Sequence, residues 1–267
     1  MRAYLSIIKI RFILLLQYRM AAIAGICTQL FFGMVRVMVF SAFYSMATDK
    51  TPLNYSQAIT YIWIGQAMIS MVPWNGDSEI QNLIRTGNVS YELLRPINLY
   101  NQWFCRALAL RTAPTVLRAI PMFIITLFLL PKEYGMMFPP NLGAFIGWVI
   151  TIFGALMISC TITNIINICS LWSISGDGIT RLLSAIVTFS SGMIVPLPLF
   201  PDWLKNILKI LPFSGLVDIP IRFYIGDIPI EEIYIYFIFQ IIWAIILYGF
   251  GQWLLNRKLK DIIVQGG

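Results

Sequence analysis

Three arginines stand where a positive charge is costly. Arg36 lies near the middle of an apolar run, and Arg111 and Arg118 are seven residues apart, hence roughly on one helical face. An unpaired charge at mid-membrane costs about 2.5–3.5 kcal/mol even on the lenient insertion scale. With no acidic residue in the middle of any run, Arg36 must meet carbonyls, hydroxyls or water, or snorkel outward. It reads as a substrate-pathway or subunit-interface residue, with a structural hydrogen-bond anchor as the alternative. Hydroxyls form a second pattern. Ser184, Thr188 and Ser191 recur at helical spacing, and Ser159, Thr163, Asn164 and Asn167 cluster towards the inner end of another run. Such stripes could line an amphipathic cavity or serve helix packing, and both readings stay open.

What is missing narrows the chemistry further. Histidine is absent, and no run carries a mid-span carboxylate or a visible inverted repeat, which argues against a proton-coupled secondary transporter. No nucleophile motif, paired carboxylates or acid–histidine cluster supports a membrane enzyme. Cys27, Cys105, Cys160 and Cys169 have no CxxC spacing and fall in or beside apolar runs, so they read as buried hydrophobes without metal. No GxxxxGK[ST] phosphate loop occurs, so ATP and Mg, if used, are held by another polypeptide, and this chain binds no cofactor.

The elements that must position these residues are membrane spans. Of 267 residues, 58% are hydrophobic and 12% charged. About 20 apolar residues suffice to cross a hydrocarbon core about 30 Å thick. Six spans are predicted at 20–47, 55–74, 103–130, 141–169, 179–197 and 232–256, in a single transmembrane unit over 1–267. Pro131, Pro139 and Pro140 punctuate the third connection, and Gly176 and Gly178 the fourth. The net charge of +7 does not indicate nucleic acid, because the basic residues flank apolar runs. They place both termini in the cytoplasm, with Asn88 and Gly267 inside and Thr51 and Lys205 outside; the outer short loops hold only Lys50 and Lys132, and Lys260 joins the inner set.

Residues 1–19 carry Arg2, Lys9, Arg11 and Arg19 around Leu5, Ile8, Phe12 and Leu15, the pattern of a retained helix lying in the membrane surface with basic side chains at the headgroups. The cytoplasmic segment 75–101 opens with Asp77 or Ser78 as a helix cap and Glu79 in the first turn. Ile80, Leu83 and Ile84 follow at helical spacing, Arg85 lies next, and Gly87 stops the helix; a second start is expected at Ser90. The short amphipathic helix suits docking to a soluble partner or simply covering the bundle end. In the outer segment 196–231, Pro196, Pro198 and Pro201 prevent the fifth span from continuing, and Asp202 is the expected cap of a helix bearing Leu204, Ile207, Leu208 and Leu211 on one face. A broken or re-entrant hairpin of this kind must be shielded by protein or line water, so it could be an outer gate or a structural lid.

The stretch GNVSYELLRPINLY, residues 87–100, resembles the signature of bacterial ATP-binding-cassette exporter permeases of the second type (ABC-2). FPDWLKNILKILPFSGLVDIPIRFYIG, residues 200–226, is similar to the proline-rich outer loop of that family. The resemblance implies an all-α half-transporter with a surface N-terminal helix and a cytoplasmic coupling helix. It implies partners too: cytosolic ATPase subunits met by Glu79, Leu83, Ile84, Arg85 and Arg95, and a second permease, identical or homologous, within bacterial plasma-membrane lipid. The expected activity is export of an amphipathic drug, peptide or lipid. An ATP-independent transporter or channel, or a membrane scaffold or enzyme, is the alternative reading.

Overall fold

The computed structural model describes residues 2–46, 51–171 and 177–259; Lys50, Gly176, Lys260 and Gly267 lie outside them. Among the described residues every regular element is helical. Four helices are long and apolar enough to cross a membrane: Arg19–Met46 (α2), Leu99–Leu129 (α6, ending in a π turn), Leu142–Cys169 (α7) and Ile230–Leu259, whose regular part is α11, Ile233–Leu259. Two predicted spans are shorter. Tyr55–Ala67 (α3) has 13 residues before a one-turn 3-10 helix, and Asp177–Ser190 (α8) has 14. At 1.5 Å per residue each is about 20 Å long, two thirds of a hydrocarbon core.

Protein surrounds α3. Residues Ala58 through Ala67 are all buried, and the Trp63 indole, 1% exposed, donates to the Tyr134 carbonyl at 2.7 Å. A sequence pattern cannot separate such an internal helix from a lipid-facing one, since both are apolar all round. The helix is well started: Asn54 and Gln57 form a reciprocal capping box. Around it, α11 packs along α7 and α10 (Asp218–Tyr224) also packs on α7. Gln240, 0% exposed, ties these together by donating to the Thr151 and Gly215 carbonyls at 2.9 and 2.8 Å.

The N-terminal helix Arg2–Leu16 (α1) is separated from α2 by a break at Gln17–Tyr18 and packs along α6. Three of the four predicted apolar positions, Ile8, Phe12 and Leu15, lie on its inward face, and Arg11 lies there with them. Tyr4, Ile8, Arg11, Phe12 and Leu15 are half-buried, while Leu5 is 65% exposed. Arg11 therefore points into the protein and not towards headgroups. Two other local expectations shift by a residue. Asp202 is the first residue of Asp202–Ile210 (α9), capped by Pro201, and its carboxylate pairs with Lys205. The helix expected to start at Ser90 is Val89–Leu93 (α5), and the Ser90 hydroxyl donates back to the Gly87 carbonyl at 3.0 Å instead of capping.

Candidate functional site

The segment leading into the helix Ser78–Arg85 (α4), expected at the cytoplasmic end, is gripped along its length. After the 3-10 turn at Ile69–Met71 the chain runs 72–77 without regular structure, and its polar backbone groups need partners. Ser159 of α7 donates to the Met71 carbonyl, and Ser184 of α8 donates to the Trp74 carbonyl. Arg111 of α6, 3% exposed, donates to the Val72 carbonyl at 3.1 Å, to the Asn75 carbonyl, and to the Thr163 hydroxyl at 3.0 Å. Asn167 Oδ1 accepts the Asp77 N–H at 2.8 Å. At Gly76 the approach is so close that a Cβ would lie 2.2 Å from Asn167 Oδ1, so no side chain fits. The polar cluster at the inner end of α7 thus serves this linker.

A charged tie fixes the helix itself. Asp77 is the N-cap, its carboxylate accepting from the Glu79 and Ile80 N–H groups at 2.9 and 3.4 Å. The same carboxylate takes both arms of Arg106, 6% exposed, at 2.9 and 3.1 Å. Glu79 accepts from Arg106 at 3.1 Å and pairs with Arg11 of α1. Four segments therefore meet at one ionic network: α1, α4, α6 and, through Asn167, α7. Ile80, 0% exposed, plugs the apolar side, and Gly87, φ +73°, ends the motif as expected. The Arg11 hydrogen bonds hold the Glu79 carboxyl at about 2, well below its ordinary 4.5. A depressed carboxylate contributes above its ordinary pKa and loses the contribution as pH falls through the lower value, so this tie is constant across neutral pH.

The outward side of the segment mixes exposed polar residues, Asn82, Arg85 and Thr86 among them, with half-buried Leu83 and Ile84; its exposed large hydrophobics lie in and just after the next helix, with Tyr91 at 69% and Leu94 at 81%. Glu92, buried and bonded by Gln102 at 2.8 Å, anchors α5 so that Leu94 points away; Arg95 pairs with Glu92 at 3.4 Å. Tyr91 and Leu94 both lie in the stretch GNVSYELLRPINLY, yet neither carries a role there that the sequence alone reveals. Asp77 stands out in the sequence only as a cap, and nothing local points to its pairing with Arg106.

At the opposite end a second polar cluster joins the residues around the prolines. Asp218, 1% exposed, accepts from the Tyr61 hydroxyl of α3 at 3.0 Å and from the Leu197 N–H at 3.3 Å. Arg222 lies 3.6 Å from it and donates to Asp227 at 2.6 Å. A buried carboxylate from outside every predicted span thus touches one of them, because the segment after α8 brings it there. Gly192, φ +83°, makes the turn after α8, where a Cβ would sit 2.5 Å from the Tyr61 hydroxyl. Arg36 donates to the neighbouring Met193 carbonyl at 2.9 Å. Pro196 is buried just before Leu197, Pro198 lies in the following 3-10 turn, and Pro201 is exposed at the start of α9. Ser184, Thr188 and Ser191 all donate to backbone carbonyls, those of Trp74, Ser184 and Thr188.

A family model described as ABC-2 family transporter protein matches residues 15–265. The chain belongs to that family. It is accordingly a multi-pass membrane permease, of a family whose members are typically non-catalytic subunits working with ABC ATPases. No curated protein matches the chain. The family match spans both clusters, the one on α4 and the one on Asp218.

Proposed function

We propose that this ABC-2 permease is the membrane subunit of an ATP-driven exporter that moves an amphipathic drug, peptide or lipid outward across a bacterial plasma membrane. In this reading 1–267 is one permease domain with six crossings and both termini cytoplasmic. It pairs with a second permease, and ATP and Mg stay on separate cytosolic ATPases. The observation that carries it is the ionic mount: Asp77, Glu79, Arg106 and Arg11 bind α4 rigidly to the ends of the long helices. A push on α4 and α5 from a docked ATPase would therefore move the spans as bodies instead of bending a loop. Glu79 acts inside the mount, while Leu83, Ile84, Arg85 and Arg95, with Tyr91 and Leu94, present the docking side. Affinity capture of the tagged full-length chain from its native membranes is expected to bring down a polypeptide with a phosphate loop and ATPase activity. Capture of a second permease without any ATPase contradicts the ATP-driven reading.

The outer cluster is the gate in this mechanism. Tyr61 and Asp218 latch Leu197 and the prolines Pro196, Pro198 and Pro201 over the outer end of the pathway, and Arg36 pins the preceding turn. Ser184, Thr188 and Ser191 lie on the helix leading to it. Leu197 is 0% exposed. In a background lacking the native cysteines, Leu197→Cys is expected to react slowly with an impermeant maleimide in intact cells. Adding Tyr61→Phe removes one latch donor, worth about 1 kcal/mol, and should speed labelling about fivefold. An unchanged rate means the latch does not hold this gate; labelling only after lysis places the gate on the inner side.

A further inference from the structure

Between α9, α10 and the start of α11 lies a cavity of about 120 Å³ whose polar groups are unequally satisfied. Its walls are largely apolar, from Ile219, Ile235 and Phe239, and Lys209, Arg222 and Tyr236 supply polar edges. Arg222 is neutralised by Asp227 and Asp218, and Asp218 is spent on Tyr61 and Leu197. Lys205 has Asp202. Among the described residues, the Lys209 ammonium and the Tyr236 hydroxyl have no hydrogen-bond or ion-pair partner. Lys209 also acts on the Asp202 carboxylate that Lys205 holds, so the site keeps a cation without a direct contact and an unbonded hydroxyl beside an apolar wall.

The position of α9 says what meets them. Trp203, Ile207 and Ile210 are 68%, 54% and 69% exposed at i, i+4 and i+7, an apolar stripe on the helix face opposite buried Leu208. A short helix with lysines on one side and an exposed Trp/Ile stripe on another lies in a membrane interface, at the depth of lipid phosphates. We infer that this cavity is a phospholipid site, in which Lys209 and Tyr236 donate to the phosphodiester while Ile219, Ile235 and Phe239 take the first carbons of an acyl chain. This goes beyond the export reading and does not depend on it, since the site is defined by the fold alone.

The test is native mass spectrometry of the full-length permease in detergent, titrated with dioleoyl phosphatidylglycerol, with dioleoylglycerol, and with inorganic phosphate. Lys209 is exposed, so its replacement leaves the fold intact. The double variant Lys209→Ala/Tyr236→Phe is expected to weaken phosphatidylglycerol binding about a hundredfold, the loss of two hydrogen bonds to a charged group at about tenfold each. Lys209→Arg should bind as the wild type does, and dioleoylglycerol should not distinguish the variants. Equal phosphatidylglycerol binding by wild type and double variant overturns the site. So does an equal loss of dioleoylglycerol binding, which would mark an apolar crevice. Binding of inorganic phosphate as tightly as phosphatidylglycerol would make it a free-anion site and overturn the lipid assignment.

Discussion

Arg106→Leu is expected to destabilise the folded permease by about 3–5 kcal/mol and to abolish transport, the largest effect of any single substitution at the cytoplasmic end. The reason is what remains behind. Asp77 is 8% exposed, and without Arg106 its carboxylate keeps the α4 backbone N–H bonds but no longer faces a cation in contact. A buried charge that loses its partner costs far more than the pair was worth. Glu79 would also be left to Arg11 alone, loosening α1 from α4. Adding Asp77→Asn to Arg106→Leu removes the stranded charge and keeps a capping oxygen, so the double variant should recover part of the stability. Chemical unfolding in detergent of the two singles and the double gives the coupling energy. A single variant within about 0.5 kcal/mol of wild type would mean the network is incidental to the fold.

Leu94→Asp should do the opposite: leave folding untouched and remove the ATPase. At 81% exposed, Leu94 has almost no packing to lose, and exposed substitutions usually stay within about 0.5 kcal/mol. A buried apolar anchor at an interface, however, is worth about 2 kcal/mol or more when replaced, and a desolvated carboxylate adds to that. Capture of the ATPase by the tagged chain is therefore expected to fall more than tenfold, with the unfolding midpoint unchanged. The two variants separate mount from docking face. Arg106→Leu loses stability and partner together, Leu94→Asp the partner alone. Full capture by Leu94→Asp would shift the docking face away from α5, towards Leu83 and Ile84.

The parts of this protein governed by local rules were readable from the sequence. Asp77, one of the two caps offered, and Gly87 as stop follow from backbone chemistry within a few residues, whereas the fifth helix ends at Ser190 and turns at Gly192, before the prolines expected to stop it. Membrane-length helices were legible where the apolar run was long, as in α2, α6, α7 and α11. The short helices α3 and α8 are less than the span lengths drawn for them, and for different reasons: α3 is enclosed by protein, while α8 keeps Leu182 and Phe189 exposed. Arg11 was assigned to headgroups because its partner Glu79 is 68 residues away, and no periodicity connects them. The polar stripe Ser159, Thr163 and Asn167 was visible, but its purpose was not. Only the fold shows that the linker 72–77 runs past it with carbonyls to be satisfied. Likewise Asp218 stands outside every predicted span, and chain reversal carries it to Tyr61.

The central claim, that α4 and α5 receive a cytosolic ATP-binding-cassette ATPase, is tested most directly by a photo-crosslinker placed at position 94 in living cells of the native host. A second crosslinker at position 203, on the exposed stripe of α9, serves as the control on the opposite side. The expected adduct at 94 is a polypeptide carrying the phosphate loop that this chain lacks, and 203 should yield none of it. Adducts at 94 with lipid alone, or the ATPase recovered from 203 instead, would contradict the assignment of this face and of the mechanism built on it.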